Sequence, residues 1–242
     1  MGGHRLVLAL GLALTCTVAG LAQPVSGPAA SPALLPAPKA GAPASFAFAT
    51  SPLQNPAPLV AGGKAVLAAL RKGGYIVYFR HGKTRYDQIG LEQDNIAKGR
   101  WLSYDCSTQR NLSDEGRAAL KAAGIQFRKA RIPLDKSYAS HFCRTKDTAA
   151  YFVDNAEVLP WLTGGVGVAE PDAYRVEKVS KLLSTRPATG KNSLVFAHGM
   201  TLRNLTGFAI EEGHAVVLDP DNLKVVVARI APDEWAAVAV AQ

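Results

Sequence analysis

Tyr75-Ile76-Val77-Tyr78-Phe79-Arg80-His81-Gly82 decides how the rest of the chain is read. Apolar β-branched and aromatic residues run straight into an arginine, a histidine and a glycine. Such a run, entered through Gly73-Gly74 and closed by Gly82, predicts a strand buried on both faces of a parallel sheet. In open α/β sheets ligands bind beyond the carboxyl ends of the strands, which puts Arg80 and His81 where chemistry takes place. An isolated Arg-His-Gly is as readily a hydrogen-bonded strand end. Its weight comes from a second apolar stretch, Asn192 to Ala197, which also ends in a histidine and a glycine, His198-Gly199.

Around these two strands the periodicity alternates between helix and strand. Lys64 to Lys72 places Val66, Leu67 and Leu70 on one helical face and stops at Gly73-Gly74. Lys83 to Asn111 is polar and weakly periodic, a length typical of binding loops or lids. Ser113 caps a helix reaching about Ala130, with Asp114 and Glu115 in its first turn and Leu112, Ala119, Leu120, Ala123 and Ile125 as its apolar spacing. Lys136 to Ser140 predicts a strand, Arg144 to Val153 a helix, Val158 to Leu162 an outer strand, and Tyr174 to Leu183 a helix with Val176, Val179, Leu182 and Leu183 inward. Thr201 to Phe208 follows as a helix, and Ala215 to Leu218 with Leu223 to Ile230 form a hairpin around Pro220-Asp221-Asn222. Alternating helices and apolar strands predict an α/β three-layer sandwich with a mainly parallel central sheet and an antiparallel edge strand.

The ends and the charge bound what the domain does. Residues 1–22, a short basic start, an apolar stretch from Leu6 to Leu21 and the small-residue site Gly20-Leu21-Ala22, have the layout of a secretory signal peptide. The alternative is an uncleaved anchor, for which the stretch is short. Residues 23–62 form a Pro/Ala-rich linker with nine of the chain's 15 prolines, too poor in periodic apolar positions to offset the entropy of ordering. Residues 63–242 remain as one domain. Only Arg5 and Lys39 of the 27 Lys and Arg precede it, against 19 Asp and Glu that all lie within it, so its net charge is +6. That surplus favours anionic ligands, or serves solubility or adhesion to anionic surfaces; no nucleic-acid motif accompanies it. Once Cys16 leaves with the signal peptide, Cys106 and Cys143 are an even pair in an exported chain, which suggests a disulfide. Closing about 38 residues, it would stabilise by roughly 4 kcal/mol; two unrelated buried thiols are the alternative. No Cys/His spacing suggests a metal site.

Three strand ends converge on one sheet edge: Arg80-His81-Gly82, Ser140 through Arg144, and His198-Gly199. Arginine's planar fork holds two oxygens of a phosphoryl group, and a histidine nitrogen accepts that group covalently near neutral pH. Helix N-termini after each strand aim backbone N–H groups at the same anion. Residue types and placement therefore point to phosphoryl transfer.

Here the chain resembles the histidine phosphatase superfamily, the phosphoglycerate-mutase-like and acid-phosphatase-like enzymes, over residues 63–242. The resemblance rests on Phe79-Arg80-His81-Gly82 with Thr84 beyond it, on Leu112-Ser113-Asp114-Glu115-Gly116, on Ser140-His141-Phe142-Cys143-Arg144-Thr145-Lys146-Asp147-Thr148-Ala149, and on Val195-Phe196-Ala197-His198-Gly199. It implies a phosphoglycerate-mutase-like fold with His81 as the nucleophile that becomes phosphohistidine. Arg80, Arg144 and His198 would grip the phosphoryl oxygens, Thr84 and the backbone at Gly199 would complete the pocket, and neither cofactor nor metal would be required.

Departures from the pattern concern His141, where the family usually has proline, Lys83, Asp87, and above all the acid that protonates the leaving oxygen. Gly199-Met200 follows His198 where the acid-phosphatase branch has aspartate. Leu162-Thr163-Gly164-Gly165 stands near where the mutase branch has glutamate, and Glu157, Glu170 and Asp172 are out of register. Glu211, Glu212, Asp87 and Asp105 are the candidate proton donors, each also readable as a solvated carboxylate. Small phosphohistidine phosphatases of the superfamily lack the acid too, and exported enzymes resembling lipopolysaccharide core heptose phosphatases suit the signal peptide better. A Cys106–Cys143 bridge would pin the long loop beside the pocket, with Arg110 at its rim.

The expectation is thus a periplasmic or secreted phosphatase acting on a phosphomonoester or phosphoramidate of an anionic small molecule or envelope component, with no nucleic-acid partner and no membrane span after signal removal. Its rivals are an anion-binding module of the same fold, favoured by the missing acid, and a phosphomutase, weakened by export.

Overall fold

The strand at the centre of the sheet is β1 (Ile76–Arg80), whose apolar residues are buried on both sides. A computed structural model describes residues 63–98, 104–163 and 173–240 of the chain, all within the unit Ala49–Gln242. The expected signal peptide and linker, Gly164, Gly165, Glu170 and Asp172 lie outside the described residues.

β1 pairs in parallel with β4 (Asn192–Ala197), Arg80 opposite Ala197, and β4 pairs in parallel with β2 (Leu134–Ala139), so these strands end at one edge. β3 (Glu157–Val158) extends the parallel side. On the other side β5 (Ala215–Asp219) runs antiparallel to β1 and forms a hairpin with β6 (Asn222–Ile230), giving the order β3-β2-β4-β1-β5-β6. The edge beyond β1 is therefore the antiparallel hairpin expected from the sequence.

The β4 residues are buried throughout, and alternate residues of β1 and β4 face two separate cores. On one face Val77, Phe79, Leu194 and Phe196 meet Leu67 and Leu70 of α1 (Gly63–Lys72), Leu120 and Phe127 of α3 (Asp114–Lys129), Ala149 of α4 (Cys143–Ala150) and Trp235 of α7 (Trp235–Ala239). Phe79 stacks on Phe196 with ring centroids 4.8 Å apart and contacts Phe152 at 4.6 Å. On the other face Ile76, Tyr78 and Val195 meet Val179 and Leu183 of α5 (Ala173–Leu183) and Leu202 of α6 (Gly199–Thr206). Sheet between two helical layers is the expected architecture, since each apolar face must be covered.

Several expectations change. Lys83 to Asn111 is not one loop: Tyr86–Gln88 is a 3₁₀ turn (η1), α2 spans Ile89–Ala97, and Cys106–Thr108 is a second 3₁₀ turn (η2). Helix α2 has no strong apolar stripe, and both Ile89 and Leu91 are exposed, so periodicity could not mark it. The outer strand keeps only Glu157–Val158; Pro160, which lacks a backbone N–H to donate to a ladder, begins a 3₁₀ turn over Pro160–Thr163 (η3). Ile125 and Val176 are exposed, their places in α3 and α5 facing outward. Helix α7, unanticipated, buries Trp235 completely against α1 and α3.

Candidate functional site

The site forms where β1, β2 and β4 end, and small residues let its walls close. Ser113 caps α3 by accepting from the Gly116 backbone N–H, and a Cβ on Gly116 would lie 2.2 Å from the Lys83 carbonyl oxygen. The Leu-Ser-x-x-Gly stretch is therefore what lets the start of α3 touch the chain leaving β1. Lys83 to Arg85 lies antiparallel to Asn111 to Ser113, with Arg85 N–H donating to Asn111 O at 2.9 Å and Ser113 N–H to Lys83 O at 2.9 Å. Thr148 ties β1 to α4: its hydroxyl accepts from Gly82 N–H at 3.0 Å and donates to Arg144 O at 2.6 Å.

His81 is buried, and its Nδ1 lies 2.9 Å from the Gly82 carbonyl oxygen. A carbonyl only accepts, so Nδ1 carries the proton and Nε2 keeps its lone pair. Burial, then the Arg144 charge, hold His81 well below the ordinary imidazole value despite the Gly82 hydrogen bond. The ring is therefore neutral at physiological pH and nucleophilic at Nε2.

His198 ends β4 with its ring centroid 5.4 Å from that of His81, and burial, then Arg144, depress its pKa likewise. Its Nε2 lies 2.9 Å from Ser140 Oγ. Thr145 Oγ1 has one proton and is 2.7 Å from the Phe142 carbonyl, so the 2.9 Å contact between the two hydroxyls takes the Ser140 proton. That leaves His198 Nε2–H as the donor to Ser140. Tyr78 secures the same histidine from below, donating to His198 O at 2.8 Å and accepting from His198 N–H at 3.2 Å.

Arg144, buried in the first turn of α4, lies over the Phe142 ring with its guanidinium carbon 4.4 Å from the centroid. Arg80 lies against the start of α6, where a Cβ on Gly199 would come within 3.3 Å of its Cδ and Nε. Its Nη1 donates to Ile210 O at 2.8 Å and its Nη2 to Glu212 Oε1 at 3.2 Å. His141, buried and stacked on Phe142 at 4.6 Å, is pulled down to about 4, chiefly by burial.

The four candidate acids separate cleanly. Asp87 is exposed and paired with Arg85, and Asp105 is exposed and caps η2 through Ser107 N–H. Glu211 is 71% exposed between His214 and Arg229. Glu212 is 8% exposed and enters the cradle: besides Arg80, it accepts from Thr84 N–H at 3.1 Å and from the Thr84 hydroxyl, and lies 3.8 Å from Arg110 Nη1. Gly213 N–H donates to His81 O at 2.8 Å, which holds this segment against His81. Two residues of the site carry little signal in the sequence: Tyr78 reads as plain strand core, and Arg110, expected at the rim, sits in an irregular segment outside every motif.

Cys106 and Cys143 form a disulfide with Cα atoms 5.7 Å apart, so the reading as two separate thiols is set aside. Among the described residues no group of His, Cys, Asp or Glu could hold a metal ion, and no helix is long and apolar enough to cross a membrane.

No known family signature and no curated protein matches the sequence. Similar solved structures include the protein histidine phosphatase SixA complexed with tungstate, 17% identical, covering 66% of this chain and 98% of that one at a TM-score of 0.44. Phosphoglycerate mutase from Thermus thermophilus is 19% identical over 65% of this chain and 98% of its own, with a TM-score of 0.38.

Proposed function

We propose that the chain is an exported phosphatase of the histidine phosphatase type, hydrolysing a phosphomonoester or phosphoramidate through phospho-His81. The observation that carries this reading is His81 itself: a buried neutral imidazole, its Nδ1 proton held by Gly82 O and its Nε2 unprotonated, with guanidinium charges from Arg144 and Arg80 acting on it. Nε2 attacks phosphorus, the bond to the leaving oxygen or nitrogen breaks, and Arg80, Arg144, Thr84 and the Gly199 backbone hold the phosphoryl oxygens; His198, whose Nε2–H is taken by Ser140, becomes a further donor only when its Nδ1 takes up a proton. Preorganised positive donors around a transferring phosphoryl group supply most of such a rate enhancement. Glu212 is assigned the proton. A monoanionic phosphoryl group brings one in, the carboxylate relays it to the leaving atom, and the same carboxylate then takes a proton from the water that splits the N–P bond. The disulfide and the leader layout support a periplasmic or secreted location, and the domain's positive charge an anionic small molecule or envelope component as substrate.

A second reading, an anion-binding module without turnover, is favoured by Glu212 as well, because that carboxylate already occupies donors of Arg80 and Thr84. Incubating the domain with para-nitrophenyl phosphate and with a phosphoramidate, beside His81→Ala, separates the two. The phosphatase reading expects turnover and an acid-labile phosphoenzyme in the wild type only; equal rates in both proteins would sink it, and vanadate binding without turnover would establish the module.

A further inference from the structure

Arg110 belongs to none of the motifs, yet it sits at the site. Its side chain is 13% exposed and its guanidinium carbon lies 5.5 Å from the Tyr86 ring centroid. Its Nη1 is 3.8 Å from Glu212 Oε1, the same oxygen that accepts from Arg80 Nη2 at 3.2 Å. Two guanidinium groups, one from β1 and one from the segment after Cys106, therefore lie within ion-pair distance of one anionic oxygen beside Thr84. The Arg110 charge also acts on His81, alongside Arg144 and Arg80. Its main chain touches the neighbouring wall, where Arg144 Nη1 donates to Arg110 O at 3.5 Å.

The short segment that presents Arg110 is fastened to α4, the helix that carries Arg144. Cys106 is bonded to Cys143, one residue before Arg144. Gln109, buried, accepts from the Cys143 N–H through its side-chain oxygen at 2.9 Å. Asn111 Nδ2 donates to Cys106 O at 2.7 Å and to Gln109 O at 3.1 Å, closing the turn around Arg110. Of the two half-cystines Cys106 is exposed and Cys143 buried.

We propose that Arg110 is a third phosphoryl-binding arginine of this site, and that the Cys106–Cys143 disulfide is the clamp that holds it in position. The proposal rests on the phosphoryl-binding reading of the cradle. It assigns the disulfide a functional consequence: reduction releases the Arg110 segment from α4 and weakens anion binding, while the sheet and its two cores remain.

The test measures tungstate affinity by calorimetry and para-nitrophenyl phosphate turnover for the wild type, Arg110→Gln, Arg110→Lys and Cys106→Ser. Losing a charge-assisted contact to the anion should weaken tungstate binding roughly 10- to 100-fold in Arg110→Gln, with partial recovery in Arg110→Lys. Cys106→Ser, and the wild type in reductant, should show a loss of the same order, and Arg110→Gln should be nearly indifferent to reductant. Wild-type tungstate affinity in Arg110→Gln overturns the arginine's role. An equal fold-loss on reduction in the wild type and in Arg110→Gln, or unchanged affinity in Cys106→Ser, overturns the clamp. Should the wild type bind tungstate but turn nothing over, the phosphatase reading falls and the affinity comparison still decides this inference.

Discussion

Lowering the pH from 7.5 to 5.5 should destabilise this domain well before its carboxylates titrate, because three histidines are buried and uncharged. His81 and His198 are held well below 6.5 and His141 is pulled down to about 4, in each case chiefly by burial. At pH 7.5 these rings are neutral in both native and unfolded chains, so the native state has its full stability. Below about 6.5 the unfolded chain takes up protons that the native rings refuse, and stability falls as the pH falls toward the native values. A histidine that stays neutral in the native state loses about 1.4 kcal/mol between pH 7.5 and 5.5, so three lose roughly 4 kcal/mol. That is a large share of the 5–15 kcal/mol of a typical domain. Urea unfolding at the two pH values, with the wild type and His198→Asn, measures it; the variant should lose about a third of the dependence. Unfolding free energies within about 1 kcal/mol of each other at the two pH values would refute the buried, neutral assignment, and with it the argument that His81 is ready as a nucleophile at neutral pH.

Tyr78→Phe leaves the His198 N–H and carbonyl without their shared hydroxyl, and should cost about 1–3 kcal/mol in unfolding free energy; a cost below about 0.5 kcal/mol would show that the hydroxyl does not hold the strand end. Gly116→Ala puts a methyl 2.2 Å from Lys83 O, so it should lower both the melting temperature and turnover, and an unchanged melting temperature would contradict the close approach. Glu212→Gln keeps the shape and removes the charge. We expect tighter binding of inorganic phosphate together with slower turnover of poor leaving groups, and a uniform loss over good and poor leaving groups would remove Glu212 from proton transfer. Ser113→Ala should cost about 1 kcal/mol through the lost cap, read by thermal melting.

Most of the fold was legible because its signals are local. A run such as Ile76 to Phe79, apolar throughout, has to be covered on both faces, and the capped, periodic stretch after Ser113 forms a helix for reasons within its own few turns. The misreadings fall where local pattern is silent: α2 exposes Ile89 and Leu91, and α7 is a five-residue helix, too short for its buried Trp235, Val238 and Ala239 to stand out as a repeat.

The sequence by itself determined the strand ends carrying Arg80, His81 and His198, the Arg144 segment, and the glycines that let their walls approach. It did not select among the carboxylates, since Glu211 and Glu212 are adjacent and alike in type. Only the tertiary structure turned Glu211 out to His214 and Arg229 and Glu212 in to Arg80, Thr84 and Arg110. The reason is physical: burial and charge partners belong to a place in space, and the partners of Glu212 lie between 102 and 132 residues away along the chain.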